Sequence, residues 1–174
     1  MRAKSNVGAV WLTCLFPLPI IPPHIASVSI FARNGRCLAV MIRSRIIGTG
    51  SYLPSRIVSN EEIAPTLGVS PARIYRLTGI QARHWAGDHE ASSDMAVEAG
   101  RRALDAADCA PSSIDAIILS TTSPDMAFPS TACLVQRGLG CRQVGAFDVS
   151  ASCSGFLYGL SMAQAMIQSG QAKT

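Results

Sequence analysis

The sequence predicts an α/β fold in which helices cover a mixed or largely parallel sheet. Two apolar runs, 115–121 and 144–149, have the length and composition of buried strands. Helix-like patterns occupy 92–107, 129–140 and 153–169, which lie before, between and after those strands. Strands that alternate with helices are typical of α/β domains, so a sheet with helices on its faces is the expected architecture.

Shorter elements precede the first long helix. Residues 45–50 are predicted to form a strand that runs into a glycine-rich bend. Ser59-Asn60-Glu61-Glu62 is a capping box, which predicts the start of a helix that ends near Gly68. Ser70-Pro71 predicts the start of a second helix, which ends at about Thr78-Gly79.

The helix at 92–107 is built for close packing. Asp94 lies in its first turn, where a carboxylate stabilises the positive end of the helix dipole. Small side chains form a stripe along it, which would let another backbone approach: Ala96, Ala99, Gly100, Ala103 and Ala107.

Residues 1–40 differ in composition from the remainder. Their apolar stretch cannot form a membrane-spanning helix, because four prolines interrupt it: Pro17, Pro19, Pro22 and Pro23. The segment also makes a poor secretory signal. We therefore expect residues 1–40 to be an N-terminal extension outside the fold and residues 41–174 to form the domain, with Met41 as the natural start. Peptides from 1–40 in the native protein would contradict this expectation.

The charge distribution argues against a nucleic-acid partner. The formal net charge is +4, but six basic residues and no acidic ones lie at or before Arg45. From Ile46 onward there are nine basic and eleven acidic residues, a net charge of −2. No basic patch with interleaved aromatic residues occurs there, so we expect neither nucleic-acid nor membrane binding.

The cysteine pattern argues against a metal site. No Cys-x-x-Cys pair occurs, and no histidine lies at a ligand-like distance in sequence from any of the six cysteines. Unpaired cysteines are common in reducing compartments, so a cytoplasmic protein with free thiols is expected. The cysteines are Cys14, Cys37, Cys109, Cys133, Cys141 and Cys153.

Cys153 stands where a predicted strand turns into a long apolar helix. Unpaired backbone N–H groups and the dipole at a helix start favour a thiolate, the nucleophilic form of cysteine. The same N–H groups can hold the oxyanion formed when a thioester is attacked. The helix itself is apolar nearly all round, with a small-residue stripe at Gly155, Gly159 and Ala163, so we expect it to be buried.

Four stretches carry a resemblance to a known family. Ser150-Ala-Ser-Cys-Ser-Gly-Phe156 is similar to the nucleophile motif of the β-ketoacyl-acyl-carrier-protein synthase III branch of the thiolase superfamily. The other stretches agree with that family in order and spacing, and the match extends over about 43–174. They are Ile46–Pro54, Thr78–His84, and the passage from Ser120 through Phe128-Pro-Ser-Thr-Ala132.

This resemblance implies a thiolase-like layered fold, of which the chain is the N-terminal half, with a mixed sheet and a buried nucleophile helix. Cys153 would accept an acyl group from acyl-CoA and condense it with malonyl-acyl carrier protein, without a cofactor. Phe128 would lie near the acyl pocket and reach into the partner subunit's site. The strand at 144–149 would pair across a homodimer.

The chain departs from the family at three points. Members are about twice as long as the matching part of this chain, and the His and Asn that stabilise charge during decarboxylation lie in their second half. The isolated chain is therefore expected to be inactive in full condensation. Arg73 stands where the family often has a Trp that stacks on the CoA adenine, and Leu77 stands in place of an Arg. Arg73 would stack on adenine or contact a phosphate, or else be a solvated helix charge.

The sequence is also compatible with other functions. One is a thiolase-fold ketosynthase of secondary metabolism or of biotin-precursor synthesis, and another is an inactive half that only pairs with a second chain. The remaining polar residues are expected to be structural: His84, His89, Asp125 and Asp148.

Overall fold

The computed structural model describes residues 44–174. The expectations for residues 1–40 and for Met41 therefore lie outside the described residues. In chain order, the elements are β1 (Arg56–Ser59), α1 (Asn60–Leu67), α2 (Pro71–Thr78), β2 (Ala82–Trp85), α3 (Ser92–Ala106), β3 (Ala116–Ser120), α4 (Thr131–Leu139), β4 (Gly145–Val149) and α5 (Gly155–Gln168). Short 3₁₀ turns at Pro111–Ser113 and Ser152–Ser154 precede β3 and α5. None of the helices in this part of the chain has the length and apolar content that crossing a bilayer requires.

The strands form two separate ladders. β1 and β2 pair antiparallel, whereas β3 and β4 pair in parallel, with Ala116 opposite Gly145 and Ser120 opposite Val149. The predicted α/β class is confirmed, and the two strand directions occur in different ladders rather than in one mixed sheet.

The β3–β4 ladder forms the middle of three layers. Ile117 and Leu119 point to one face, where they are 2% and 1% exposed and pack with α3 and α4. Ile118 and Ser120 point to the other face, toward α5. Side chains alternate across a strand, so β3 contributes to both faces. The core of the first face consists of Ala96, Val97, Ile117, Leu119, Ala132 and Val135.

Small residues set the distance between α3 and α4, as predicted for α3. A Cβ at Gly138 would lie 2.5 Å from a methyl of Val97, and one at Gly100 would lie 3.2 Å from Leu139. Both helices therefore approach each other more closely than side chains at these two positions would permit.

The prediction of a strand at 45–50 is wrong, because this segment crosses α3 without strand pairing. A Cβ at Gly50 would lie 2.2 Å from the Ala99 carbonyl oxygen, and one at Gly48 would lie 2.4 Å from that of Ala103. The apolar residues that predicted a strand remain partly outside, since Ile46 is 54% exposed. Backbone contact with the small stripe of α3 replaces strand pairing.

Ser51 and Tyr52, just after this segment, contact α3 and the loop that leads into it. The Tyr52 hydroxyl donates a hydrogen bond to Glu90, and that bond holds the pKa of Tyr52 above its ordinary value. The Arg102 guanidinium lies 5.6 Å from the centre of the Tyr52 ring and donates to the Ser51 carbonyl at 2.7 Å.

The two short helices begin and end where the sequence predicts. The Ser59 hydroxyl accepts from the Glu62 N–H at 3.3 Å, and Gly68 closes α1 in the left-handed region, at φ 65°. Hydrogen bonds from its own backbone N–H and from Ser59 hold the pKa of Glu61 below its ordinary value. Ser70 caps α2 in the same way.

The prediction that the nucleophile helix is buried is wrong for this chain. α5 packs on β3 by one face, and Gly155 is its only buried residue. Leu157 is 60% exposed and Leu160 is 38% exposed. The helix has apolar residues all round, but the described part of the chain supplies a packing layer for only one side.

The start of α5 lies very close to the end of β3. A Cβ at Gly155 would lie 1.9 Å from Ser120 Oγ and 3.2 Å from Ser120 Cβ. Rotating the hydroxyl away would therefore still leave a contact that is tighter than normal. At Gly159, one turn later, an added Cβ would lie 3.6 Å from Ile118, an ordinary contact.

We predict that Gly155→Ala destabilises the protein and that Gly159→Ala does not. The first substitution should lower the free energy of unfolding by about 1–3 kcal/mol through overpacking. The second should leave it unchanged or raise it by up to about 1 kcal/mol, since alanine is the better helix former. Urea unfolding followed by circular dichroism measures both. Equal stabilities of the two variants would contradict the close approach of α5 to β3.

Asp115 fastens the last residues to the start of β3. Its carboxylate accepts from the N–H groups of Lys173 at 2.7 Å and Thr174 at 3.2 Å, and its own N–H donates to the Thr174 carbonyl at 2.8 Å. Arg142 forms an ion pair with the same carboxylate. The two backbone hydrogen bonds are the main cause that holds the pKa of Asp115 below its ordinary value.

We predict that Asp115→Asn lowers stability at neutral pH more than in acid. The stabilisation from Asp115 is present above the unfolded-state pKa of about 3.9, and it is lost as the pH falls through the lower folded-state pKa. The stability difference from the parent protein should therefore be largest near neutral pH and narrow below about pH 4. Urea unfolding at several pH values measures it. A difference that does not vary with pH would show that the charge of Asp115 contributes nothing.

Candidate active site

Cys153 lies in a tight turn between β4 and α5. The strand ends at Val149, the 3₁₀ turn Ser152–Ser154 contains the cysteine, and the α-helix begins at Gly155. Ser152 has a φ of 45°, in the left-handed region that non-glycine residues rarely adopt. The prediction that the α-helix begins at Cys153 is therefore wrong by two residues, since the helix begins at Gly155. The thiol of Cys153 is exposed.

The backbone donors that follow Cys153 are already engaged. The Ser154 N–H donates to the Ala151 carbonyl at 3.0 Å, and the Gly155 N–H donates to the Ser152 carbonyl. These are two of the N–H groups that the sequence suggests for holding an oxyanion. In this conformation an oxyanion on a substrate attacked by Cys153 would need a different donor.

The turn lies at the carboxyl ends of two parallel strands. The Thr121 N–H, directly after β3, donates to the Val149 carbonyl at the end of β4, at 3.2 Å. The contact of Gly155 with Ser120 brings α5 to the same edge. Ligands of α/β sheets commonly bind beyond the carboxyl ends of the strands, so the position of Cys153 suits a reactive group.

Phe128 lies in the loop that joins β3 to α4, and it is 88% exposed. The loop around it is well fastened. The Ser92 hydroxyl donates to the Ser123 carbonyl at 2.7 Å, and Asp125 accepts from the Ser93 N–H at 3.0 Å, so both bonds connect the loop to the start of α3. An anchored loop therefore presents an aromatic side chain that has little contact within the described chain.

Asp148 and Asp125 have structural roles that the sequence suggested only in general terms. The two carboxylate oxygens of Asp148 accept from the N–H groups of Thr131 and Ala132, at 2.7 and 2.8 Å, and thereby cap α4. The Asp125 N–H donates to the Thr131 hydroxyl at 3.0 Å. Sequence spacing cannot reveal this cap, because Asp148 lies on a strand, 17 residues after Thr131 in the chain.

His84 lies in β2, and His89 lies in the segment between β2 and α3. Nδ1 of His84 is 2.5 Å from the Pro54 carbonyl oxygen, a contact that joins β2 to the segment before β1. His89 lies in an exposed turn between β2 and α3. Both positions agree with the structural roles that the sequence suggests.

The structure does not bring Arg73 together with Cys153. Arg73 is exposed on α2, which packs against α1 beside the β1–β2 ladder, whereas Cys153 follows the β3–β4 ladder. Two neighbours on α2 are also exposed, Tyr75 at 50% and Leu77 at 71%. A ligand that contacts both Arg73 and Cys153 would have to reach from one ladder to the other.

An apolar cleft of about 160 Å³, which the sequence does not reveal, runs between β3 and α5. Its walls include Ile118, Phe156, Leu160 and Met166. The cleft begins next to Gly155, close in sequence to Cys153, and it lies along the side of α5 that faces the sheet.

The described cysteines differ in environment. Cys109, Cys133 and Cys141 are partly buried, Cys153 is exposed, and all four are free thiols. Burial raises the pKa of the Cys141 thiol. Within residues 44–174, no group of three or more His, Cys, Asp or Glu side chains is placed to hold a metal ion.

Comparison with known proteins gives a consistent result. Residues 147–174, which include Cys153, match the family model described as 3-oxoacyl-[acyl-carrier-protein (ACP)] synthase III, another name for the β-ketoacyl synthase III. The chain is 50% identical over 134 residues to the synthase III of Ehrlichia canis and 48% identical over 133 residues to that of Xanthomonas oryzae pv. oryzae. These matches cover 77% and 76% of this chain, but 42% and 41% of the relatives.

Solved structures agree with the sequence comparison. The synthase III of Aquifex aeolicus VF5 superposes with a TM-score of 0.69 at 44% identity, over 74% of this chain and 41% of that one. The priming β-ketosynthase of the R1128 polyketide pathway has a TM-score of 0.72 at 35% identity, over 80% of this chain and 42% of that one.

The chain spans about two fifths of the length of the curated relatives it matches. Within that share, the predicted thiolase-like class is confirmed by the fold of the solved relatives. In both sequence and fold, therefore, the chain is similar to part of 3-oxoacyl-[acyl-carrier-protein] synthase III, as its nucleophile motif predicts.

Proposed function

We propose that this chain is the nucleophile-bearing part of a condensing enzyme that initiates fatty acid synthesis. One observation carries the proposal: Cys153 is an exposed thiol at the carboxyl edge of a parallel ladder, inside the segment that matches the synthase III family model. The names of the relatives support the same activity.

The proposed reaction has two steps. In the first, the Cys153 thiolate attacks the carbonyl carbon of an acyl-CoA, a new C–S bond forms, and CoA leaves as its thiolate. In the second, malonyl-acyl carrier protein loses carbon dioxide, and its carbanion attacks the Cys153 thioester. A C–C bond then forms, and Cys153 leaves as the thiolate. Neither step needs a cofactor.

The two steps place different demands on the chain. Acyl transfer requires an accessible thiol and a donor for the oxyanion. Decarboxylation also requires groups that stabilise the carbanion, and the family resemblance places those in the remaining length of the relatives. We therefore propose that this chain alone supports at most the first step and lacks full condensing activity.

Cys153 is the best placed of the four described thiols. The other three are partly buried, and burial also raises the pKa of Cys141, which lowers its thiolate fraction. Free thiols suit the cytoplasmic location that we propose for the enzyme.

We further propose that the complete enzyme is a homodimer. Within residues 44–174, β4 has a strand neighbour on one edge only, β3. The other edge of β4 offers backbone groups to a second copy of the strand. An exposed Phe128 fits the same arrangement, because an aromatic side chain with so little contact in its own chain suits a place in the partner's acyl pocket.

A second candidate is a priming ketosynthase of secondary metabolism. The R1128 ketosynthase covers 80% of this chain at a TM-score of 0.72, so the fold alone does not separate the two functions. Arg73 and Leu77 stand where synthase III members often have CoA-contacting residues, and both are exposed on α2. Preference for an acyl group other than acetyl in the first step would favour this candidate.

We predict that iodoacetamide modifies Cys153 fastest and Cys141 slowest among the described cysteines. The exposed Cys153 thiol should react at least about tenfold faster than the partly buried Cys141 thiol at mildly alkaline pH. Mass mapping of tryptic peptides over time gives each rate. The rate at Cys141 should increase with pH at higher pH values than for an ordinary thiol, because its pKa is raised. Equal rates at Cys153 and Cys141 would contradict the ranking.

We also predict that acyl-CoA transfers its acyl group to Cys153. Intact-mass spectrometry should show one added acyl group that hydroxylamine removes, as expected for a thioester. Cys153→Ser should remain unmodified under these conditions, whereas Cys133→Ser should behave like the parent. Absence of a thioester at Cys153, in protein whose Cys153 still reacts with iodoacetamide, would refute the proposed function for this chain.

A further inference from the structure

Asp148 connects the two segments that carry Cys153 and Phe128. We propose that Asp148, acting through Thr131, is a positioning residue that fixes the Cys153 turn relative to the Phe128 loop. The inference rests on the proposed role of Cys153 as acyl acceptor, and it gives a specific role to a residue that the sequence analysis expected only to be structural.

The connection begins on β4. Asp148 lies one residue before the end of the strand, and its carboxylate accepts from the Thr131 and Ala132 N–H groups at 2.7 and 2.8 Å. Hydrogen bonds from backbone N–H groups to a carboxylate are short and strong, and the helix dipole of α4 reinforces them. The strand that leads into the Cys153 turn is therefore held against the start of α4.

The connection continues into the Phe128 loop. Thr131 is fully buried, and its hydroxyl accepts from the Asp125 N–H at 3.0 Å. Asp125 in turn accepts from the Ser93 N–H at 3.0 Å, at the start of α3. Phe128 lies between Asp125 and Thr131 in the chain, so both sides of its loop are fastened by this set of hydrogen bonds.

A further hydrogen bond joins the end of β4 to the start of the Phe128 loop. The Val149 carbonyl, directly after Asp148, accepts from the Thr121 N–H where the Phe128 loop leaves β3. The loop is thus tied to the end of β4 both where it begins and where α4 follows it. A displacement of β4 would change the position of Cys153 relative to Phe128, and these hydrogen bonds oppose such a displacement.

Asp115 provides a matched comparison. Its carboxylate also accepts two backbone N–H groups, those of Lys173 and Thr174, but it lies just before β3 at the opposite end of the ladder. Loss of Asp115 should therefore affect stability without affecting the geometry around Cys153. A purely structural role for Asp148 would make the two carboxylates equivalent.

The test measures the distance between spin labels on Cys153 and on Phe128→Cys by electron paramagnetic resonance. The other five cysteines are replaced by serine in the full chain. The parent should give one narrow distance distribution. Asp148→Asn should broaden it by about twofold, because a loosened support leaves the site imprecise. Asp115→Asn should leave the width unchanged. Thermal unfolding reports the stability of each variant.

Thr131→Val is the second variant, for the case that Asp148→Asn does not fold. It removes the hydroxyl that accepts from Asp125 but keeps the N–H that donates to Asp148, so the distribution should also broaden. Unchanged widths in the folded Asp148 and Thr131 variants would overturn the proposal, as would equal broadening by Asp115→Asn. The measurement does not require acyl transfer, so a failure of the proposed function would appear separately, as the absence of a thioester at Cys153.

Discussion

The parallel pairing of β3 with β4 is the constraint on which the rest of the described structure depends. In a parallel ladder both strands end at the same edge, so the chain leaves β3 toward Phe128 and leaves β4 toward Cys153 from adjacent points. The helices then follow from the two faces of the ladder. α3 and α4 cover the face with Ile117 and Leu119, and α5 covers the other.

The two faces differ in how completely they are covered. The face toward α3 and α4 has a core of buried side chains, with glycines that allow close helix packing. On the other face, α5 shields the sheet but turns several large apolar residues toward solvent, Leu157 among them. A helix with no charged residue and so much exposed apolar surface is energetically unfavourable in water. This imbalance agrees with a chain that spans about two fifths of its relatives.

Local sequence signals predicted the five helices and the strands β3 and β4, but they missed β1 and β2 and could not predict tertiary relations. Ser59, Ser70 and the glycines after α1 and α2 mark helix ends through contacts within a few residues, so sequence alone locates them. The 45–50 segment has a strand-like composition, but its conformation is set by contact with α3, which is distant in sequence. The prediction that α5 is buried was also wrong, because a hydrophobic pattern does not show whether a second layer is present to cover the helix. At the candidate site, the motif identified Cys153, but the caps from Asp148 and Asp125 depend on long-range contacts.

The glycine contacts differ in a way that bears on how such a sequence can vary. At Gly155 the nearest obstacle is the Ser120 side chain, so a larger residue at one position could be accommodated by a smaller one at the other, and the pair could drift together. At Gly50 the nearest obstacles are the Ala99 carbonyl oxygen and the Ala103 backbone nitrogen, atoms that every residue type possesses. No exchange of side chains on α3 relieves that contact. The approach of the 45–50 segment to α3 is thus fixed by the main chain, and variation there requires moving a whole segment of backbone.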